Sequence, residues 1–298
     1  MTESMPPHLL LEWFTRSQRD LPWREPGIPG WHILISEIML QQTPVSRVLE
    51  PWREWVRRWP TPSAMARESS GEVVRAWGKL GYPRRAMRLH ECAGIIAEKH
   101  DDVVPDDVDT LLSLPGIGDY TARAVACFAY GQSVPVVDTN VRRVIARAID
   151  GREQPGSPSK RDLADAERLL PRDADGDYSA TAPTFSAALM ELGALVCTAR
   201  EARCDLCPLE RSCEWVRRGR PAHDGPARKT QKYEGTDRQA RGRLLDVLRN
   251  TSGPVEQAAL DLAWERDPGQ RARALDSLLV DGLVEVTDDG LFCLAGEG

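Results

Sequence analysis

The sequence predicts an all-α fold, on three observations. Apolar residues recur at three- and four-residue spacings through most of the chain. Strand-like alternation is scarce until the last residues, and turn residues recur often enough to join many short helices. In chain order, Trp31, Leu34, Ile35 and Ile38 mark one helical face, with Glu37 set off it. Thr43 is expected to cap the next helix, with Pro44 as its first residue. Ala122, Val125, Ala126 and Ala129 mark another face, and Val141, Val144, Ile145 and Ala148 a third, for which Asp138 is the simplest N-cap. Turn signals separate these helices at residues 27–30, 60–62, 81–83, 115–116 and 151–158. Residues 239–250, 254–264 and 269–280 then read as three helices. Two short strands at 283–286 and 291–294, joined by Thr287-Asp288-Asp289-Gly290, complete a small winged-helix-like domain. Such a domain serves DNA or partner contact, or caps the fold for stability.

At 298 residues the chain is long enough for about two domains. With 41% hydrophobic and 28% charged residues it is neither disordered, collagen-like nor membrane-spanning. Leu9 to Leu11 after Pro6-Pro7 is too short an apolar run for a signal peptide, so the cytoplasm, and no membrane partner, is expected. The net charge of −6 argues against a nucleic-acid binder, but its distribution does not. Residues 217–243 hold nine Arg and Lys against three carboxylates, a net of +6. The stretch is punctuated by Gly219, Pro221, Gly225, Pro226 and Gly235, so it reads as a solvated linker, a DNA-contacting strip, or both.

Seven cysteines is an odd number, and four of them, Cys197, Cys204, Cys207 and Cys213, fall in one C-x6-C-x2-C-x5-C run. That suits a metal site in a reducing compartment, with the spacing open to zinc or an iron–sulfur cluster. Leu114-Pro-Gly116-Ile-Gly118 before a small-residue helix can bring backbone N–H groups and a helix N-terminus to a phosphate. It also serves as a plain connection between helices. Gln41 and Gln42 stand at a helix-to-helix corner, where side-chain amides can read base edges. Glu37 and Asp138 offer the two carboxyl groups that glycoside hydrolysis uses, although spacing does not place them together.

Taken together, Ser36-Glu-Ile-Met-Leu-Gln-Gln-Thr43, the 114–121 hairpin, Val137-Asp-Thr-Asn140, Met190-Glu-Leu-Gly-Ala-Leu-Val-Cys197 and the cysteine loop resemble the helix–hairpin–helix base-excision glycosylases. Within them the sequence is similar to the MutY-type adenine DNA glycosylases, over about residues 9–217. The resemblance implies a two-lobed fold. One lobe takes residues 1–26 and 136–218 and carries a [4Fe–4S] cluster on Cys197, Cys204, Cys207 and Cys213. A six-helix lobe takes 27–135, a basic linker 219–236, and the winged-helix-like domain 237–298.

It further implies a monomer, at the nucleoid of a bacterial cell, acting on duplex DNA with A·8-oxoguanine or A·G mispairs. Adenine is flipped out, Glu37 protonates it, Asp138 stabilises the cationic sugar, and Tyr120 and Asn140 complete the pocket. Leu40, Gln41, Gln42, Thr43 and Tyr82 meet the opposite strand, with Leu40 and Tyr82 as wedges. Leu114, Gly116 and Gly118 hold a phosphate. Endonuclease III-like bifunctional relatives place a lysine where this chain has Tyr120, so little or no lyase activity is expected. Pro83 and Ala187 depart from the family pattern. The winged-helix-like end stands where longer members carry a NUDIX-like domain, as in short actinobacterial members. A thymine or uracil mismatch glycosylase is disfavoured by Gln41-Gln42-Thr43. A non-catalytic iron–sulfur DNA-binding regulator is disfavoured by Glu37, Tyr120 and Asp138 together.

Overall fold

A computed structural model describes residues 5–225 and 233–298. Of the stretch expected as a linker, residues 226–232 lie outside the described residues. Among the described residues there are fifteen α-helices and one two-stranded sheet, the all-α class that the spacing predicts. None of these helices is long and apolar enough to cross a membrane. The chain divides into two compact units.

One unit takes described residues of 1–28, 106–112 and 117–227. It holds α1 (Pro7–Ser17), most of α7 (Val108–Ser113), α8 (Asp119–Tyr130), α9 (Thr139–Ala148), α10 (Lys160–Glu167), α11 (Ala182–Leu195) and α12 (Glu214–Arg217). Leu10 and Phe14 of α1, Val141 and Val144 of α9, and Phe185, Leu189 and Leu192 of α11 form its core. An ionic network reinforces this packing. Glu191 on α11 is fully buried and accepts from Arg19 Nη2 at 2.7 Å and Arg24 Nη2 at 2.9 Å.

The other unit takes described residues of 29–105, 113–116 and 228–298. Its first helices are α2 (Gly30–Leu40), α3 (Val45–Arg58), α4 (Pro62–Ala66), α5 (Ser70–Trp77) and α6 (Arg84–Lys99). Trp55 packs edge-to-face on both Trp59 and Trp77, at centroid distances of 4.8 and 5.3 Å. The indole N–H of Trp77 donates to Gly81 O, fixing the turn that follows α5.

The end of the chain folds into the three helices and hairpin that the pattern predicts. These are α13 (Asp237–Asn250), α14 (Gln257–Ala263), α15 (Pro268–Val280), β1 (Val284–Val286) and β2 (Phe292–Leu294). The strands pair antiparallel with Val284 opposite Leu294, and Gly290, at φ +78°, closes the turn. This module does not stand apart from the helices before it. Val74 of α5 joins the core of Leu244, Leu248, Leu275 and Leu283, with Met87 of α6 against it. Arg75 of α5 donates to Leu248 O and Thr251 O, closing the C-terminus of α13, and to both carboxylate oxygens of Glu297.

Candidate active site

Glu37 lies on α2, and its surroundings differ from the one-sided helix that the spacing suggests. Trp31, Ile33, Leu34, Ile35, Ile38 and Met39 are all buried, so α2 is covered nearly all round and Glu37 is only 5% exposed. A carboxyl group thus sits among apolar side chains of its own helix.

The corner after α2 is tied by a residue that the sequence reading missed, Arg85. Its Nη1 donates to Ile38 O, Met39 O and Gln41 O, the carbonyls left open at the C-terminus of α2. Its Nη2 donates to Thr43 Oγ1 at 3.0 Å and to Gly81 O at 3.0 Å. The guanidinium lies over the rings of Trp77 and Tyr82, and burial lowers its pKa to about 10. One side chain therefore holds the Leu40–Thr43 corner and the Leu80–Tyr82 turn in register. Nothing distinguishes Arg85 in sequence from its neighbour Arg84 or the chain's many other arginines.

This tie overrides the expected cap. Thr43 is buried and binds Arg85 and Leu80 O, while α3 begins one residue later behind Pro44, at φ −62° and ψ 146°. Leu40 and Gln41 are half-buried, and Gln42 is exposed at φ +56°. Tyr82 is 45% exposed at φ +47°. An aromatic ring and an amide are thus presented to solvent on two turns that share one guanidinium. Leu114 is buried, so any part it has in binding comes from its backbone. Gly116 has φ +78°, and a Cβ there would lie 2.8 Å from Arg88 Cβ, so glycine is required. Gly118 stands before α8 with nothing within 4 Å of its would-be Cβ, leaving its backbone open to approach.

In the first unit, Asp138 is the N-cap of α9 that the sequence predicts, and it does more than cap. Oδ1 accepts from Val141 N–H at 2.7 Å, and Oδ2 accepts from Asn140 Nδ2 at 2.7 Å. Burial pushes the Asp138 carboxyl up, against these hydrogen bonds and the nearby Arg143, which pull it down. Asn140 Oδ1 in turn accepts from Arg143 Nη2, whose side chain also donates to Gly193 O and Cys197 O. Gly193 is required for this approach, because a Cβ there would lie 2.6 Å from Asn140 Cβ. A relay of named bonds thus runs from Cys197 through Arg143 and Asn140 to Asp138. Tyr120, on the first turn of α8, packs with Met190 against Ala124, Cys127 and Val136.

Cys197, Cys204, Cys207 and Cys213 line one cavity with Val196, Trp215 and Arg147. Arg147 Nη1 lies 3.4 Å from Cys197 Sγ, and its guanidinium stacks on Trp215. Burial pushes the Cys207 thiol up to about 12, so a thiolate here needs a replacing cation. Among the described residues no three or more His, Cys, Asp or Glu converge as they would on a single metal ion. Four cysteine sulfurs around one cavity are the donor type of either an iron–sulfur cluster or a structural zinc site.

The candidate residues therefore fall into two sets. Glu37, Leu40, Gln41, Gln42, Thr43, Tyr82, Leu114 and Gly116 belong to one unit; Gly118, Tyr120, Asp138, Asn140 and the four cysteines belong to the other.

A model of the HhH-GPD superfamily of base excision DNA repair proteins matches residues 35–165. Over 290 residues the chain is 64% identical to the adenine DNA glycosylase of Mycobacterium tuberculosis strain H37Rv, covering 97% of this chain and 93% of that protein. It is 63% identical over 295 residues to the adenine DNA glycosylase of Mycolicibacterium smegmatis, covering 99% and 98%. Its fold is similar to that of a thermostable thymine-DNA glycosylase, with a TM-score of 0.64 and 26% identity, over 73% of this chain and 97% of that one.

Proposed function

The chain belongs to the adenine DNA glycosylase family within the HhH-GPD superfamily, and from that membership we propose that it excises adenine mispaired with 8-oxoguanine or guanine. What carries the reading at the level of residues is two carboxyl groups, the buried Glu37 on α2 and the half-buried Asp138 capping α9, the latter fixed by Val141 and Asn140. Glu37 delivers a proton to the flipped adenine, making the base a neutral leaving group. As the glycosidic bond breaks, positive charge develops on the sugar, and the Asp138 carboxylate, already oriented by Val141 and Asn140, stabilises it. Water then completes hydrolysis to an abasic site. Tyr120 offers no amine for a Schiff base, so the strand stays intact.

Leu40, Gln41, Gln42, Thr43 and Tyr82 engage the opposite strand, on turns held by Arg85. Gly116 and Gly118 let the backbone before α8 approach a phosphate. Cys197, Cys204, Cys207 and Cys213 hold a [4Fe–4S] cluster, which when bound cross-links the 197–213 loop. Arg143 and Asn140 are positioning residues that pass the rigidity of this loop to Asp138.

The test is to incubate the purified chain with duplexes carrying A·8-oxoguanine, A·G, A·C and T·G, and to score strand breaks with and without alkali. Breaks at adenine that appear only after alkali are expected. Release of thymine from T·G instead would favour the activity named for the similar thermostable structure. Glu37→Gln should lower base release by about 100-fold or more while leaving DNA affinity intact. A variant that keeps full activity would remove Glu37 from the mechanism.

A further inference from the structure

The winged-helix-like module meets the preceding helices at a position that gives it a direct part in DNA binding. Arg238, in the first turn of α13, donates from Nη1 to Tyr82 Oη at 3.1 Å. Tyr82 is the exposed aromatic of the turn held by Arg85, so the module sets a second guanidinium against the ring proposed to enter the duplex. The placement is fixed rather than incidental. Val74 is buried in the module's core, Arg75 grips the end of α13 and Glu297, and Ser70 Oγ donates to Ala295 O at 2.8 Å. Arg84 and Arg241 both pair with Asp281, at 3.3 and 2.5 Å.

Charge selects which face of the module can meet phosphate. Residues 237–298 hold seven arginines against twelve carboxylates, a net of −5. The hairpin turn carries Asp288 and Asp289, and the exposed side of α15 offers Arg273 against Asp276 beside Ala272 and Val280. Those are the two surfaces through which a winged helix would ordinarily read DNA, and both are poor ones for a polyanion. Three other arginines of the module are committed, Arg241 to Ser277 and Asp281, Arg249 to Val74 O, and Arg271 to Asp261 and Trp264 O, while Arg243 and Arg266 are exposed, Arg266 over the Trp264 ring. Arg238 is exposed, stacks on Tyr233, and uses on Tyr82 one of the five N–H donors of a guanidinium.

We propose that the module is built into the DNA interface through the first turn of α13, where Arg238 binds a backbone phosphate of the strand that Tyr82 enters, and that its hairpin and α15 face away from DNA. The proposal rests on the DNA reading given above. It assigns the module a binding role by its first helix, where a helix-and-wing pattern alone would point to the third helix and the wing.

The test is the affinity of the intact chain for a duplex with an A·G mispair, measured over a series of salt concentrations. Each phosphate contact contributes about 0.9 to the slope of log affinity against log salt. Arg238→Ala should flatten the slope by about that amount, and Arg238→Lys should restore it. Arg243→Ala removes an exposed cation about 140° further round the same helix and should leave the slope unchanged. Asp288→Asn with Asp289→Asn should leave it unchanged too. An unaltered slope in Arg238→Ala, an equal loss in Arg243→Ala, or tighter binding by the double turn variant overturns the proposal. Both arginines are exposed, so unchanged melting temperatures are expected of the variants. The slope is read without turnover, so it separates two failures. Adenine release with an unaltered slope removes the interface alone, and a flattened slope with no base release from any duplex removes the adenine reading alone.

Discussion

Asp138 carries two duties whose free energies oppose each other. As the N-cap of α9 it satisfies Val141 N–H, and as a half-buried carboxylate it is the charge the proposed chemistry needs. Burial raises its pKa above the ordinary carboxylate value, so the folded chain binds this proton more tightly than the unfolded chain does. Stability is therefore lost as pH rises from the unfolded pKa through the raised folded one, and the deficit persists at neutral pH. Asparagine caps a helix about as well as aspartate and carries no charge. Asp138→Asn keeps the Val141 cap and removes the charge but sets its amide nitrogen against Asn140 Nδ2, so it should melt at or slightly below the parent's temperature at pH 7 while lowering base release by about 100-fold or more. Calorimetry beside single-turnover kinetics checks both halves. A clear loss of stability would show that the ionised group is a net support of the fold. Asp138 was readable in sequence as a cap. Its second duty depends on Arg143, on the same helix, being held by Gly193 O and Cys197 O fifty or more residues along the chain, which no local pattern relates to it.

At the scale of elements, α11 is held to the N-terminal segment by Glu191, which has no solvent exposure, and by the partly exposed Arg19 and Arg24. Burial alone would raise the Glu191 pKa, but hydrogen bonds from both guanidiniums and from Arg19 N–H overcome it and hold the group at about 2, below its ordinary 4.5. A depressed pKa adds stability above the unfolded value, and that stability is lost as pH falls from about 4.5 towards 2. Glu191→Gln should cost about 3 kcal/mol at pH 7, the lower end for breaking a buried pair, because both arginines reach water. The difference between variant and parent should shrink through that acid window, as measured by urea unfolding at several pH values. A difference independent of pH would assign the loss to packing.

The helices themselves were largely legible from periodicity. The corner at Gln41 and Gln42 was legible too, but the Thr43 cap was not, because Arg85, more than forty residues on, binds the threonine hydroxyl and the α2 carbonyls instead. Propensity reads neighbours in sequence, and this tie is between neighbours in space. The burial of Glu37 was missed for a related reason. A helix covered on every side shows no polar face from which to infer exposure.

For the molecule as a whole, the sequence divides at its basic stretch, and composition suggests a separable C-terminal domain. By packing, that module shares one compact unit with residues 29–105. Its own core is closed by Val74, and α5 receives from it a partner for Arg75 in Glu297 and a donor for Val74 O in Arg249. Removing residues 237–298 would therefore do more than delete a binding surface. It would uncover Val74 and Met87 and take Glu297 from the Arg75 guanidinium, leaving it Glu72 alone, an apolar patch beside a charge that has lost one of its two carboxylates. The truncated chain should unfold at lower temperature and be cut more readily within α5 and α6, whereas Arg238→Ala should do neither. Comparing limited proteolysis of the two separates the module's structural part from its proposed part in binding. A truncated chain with the parent's melting temperature would show that α5 needs no cover, and the contacts of Arg75 would then be a consequence of docking with no share in stability.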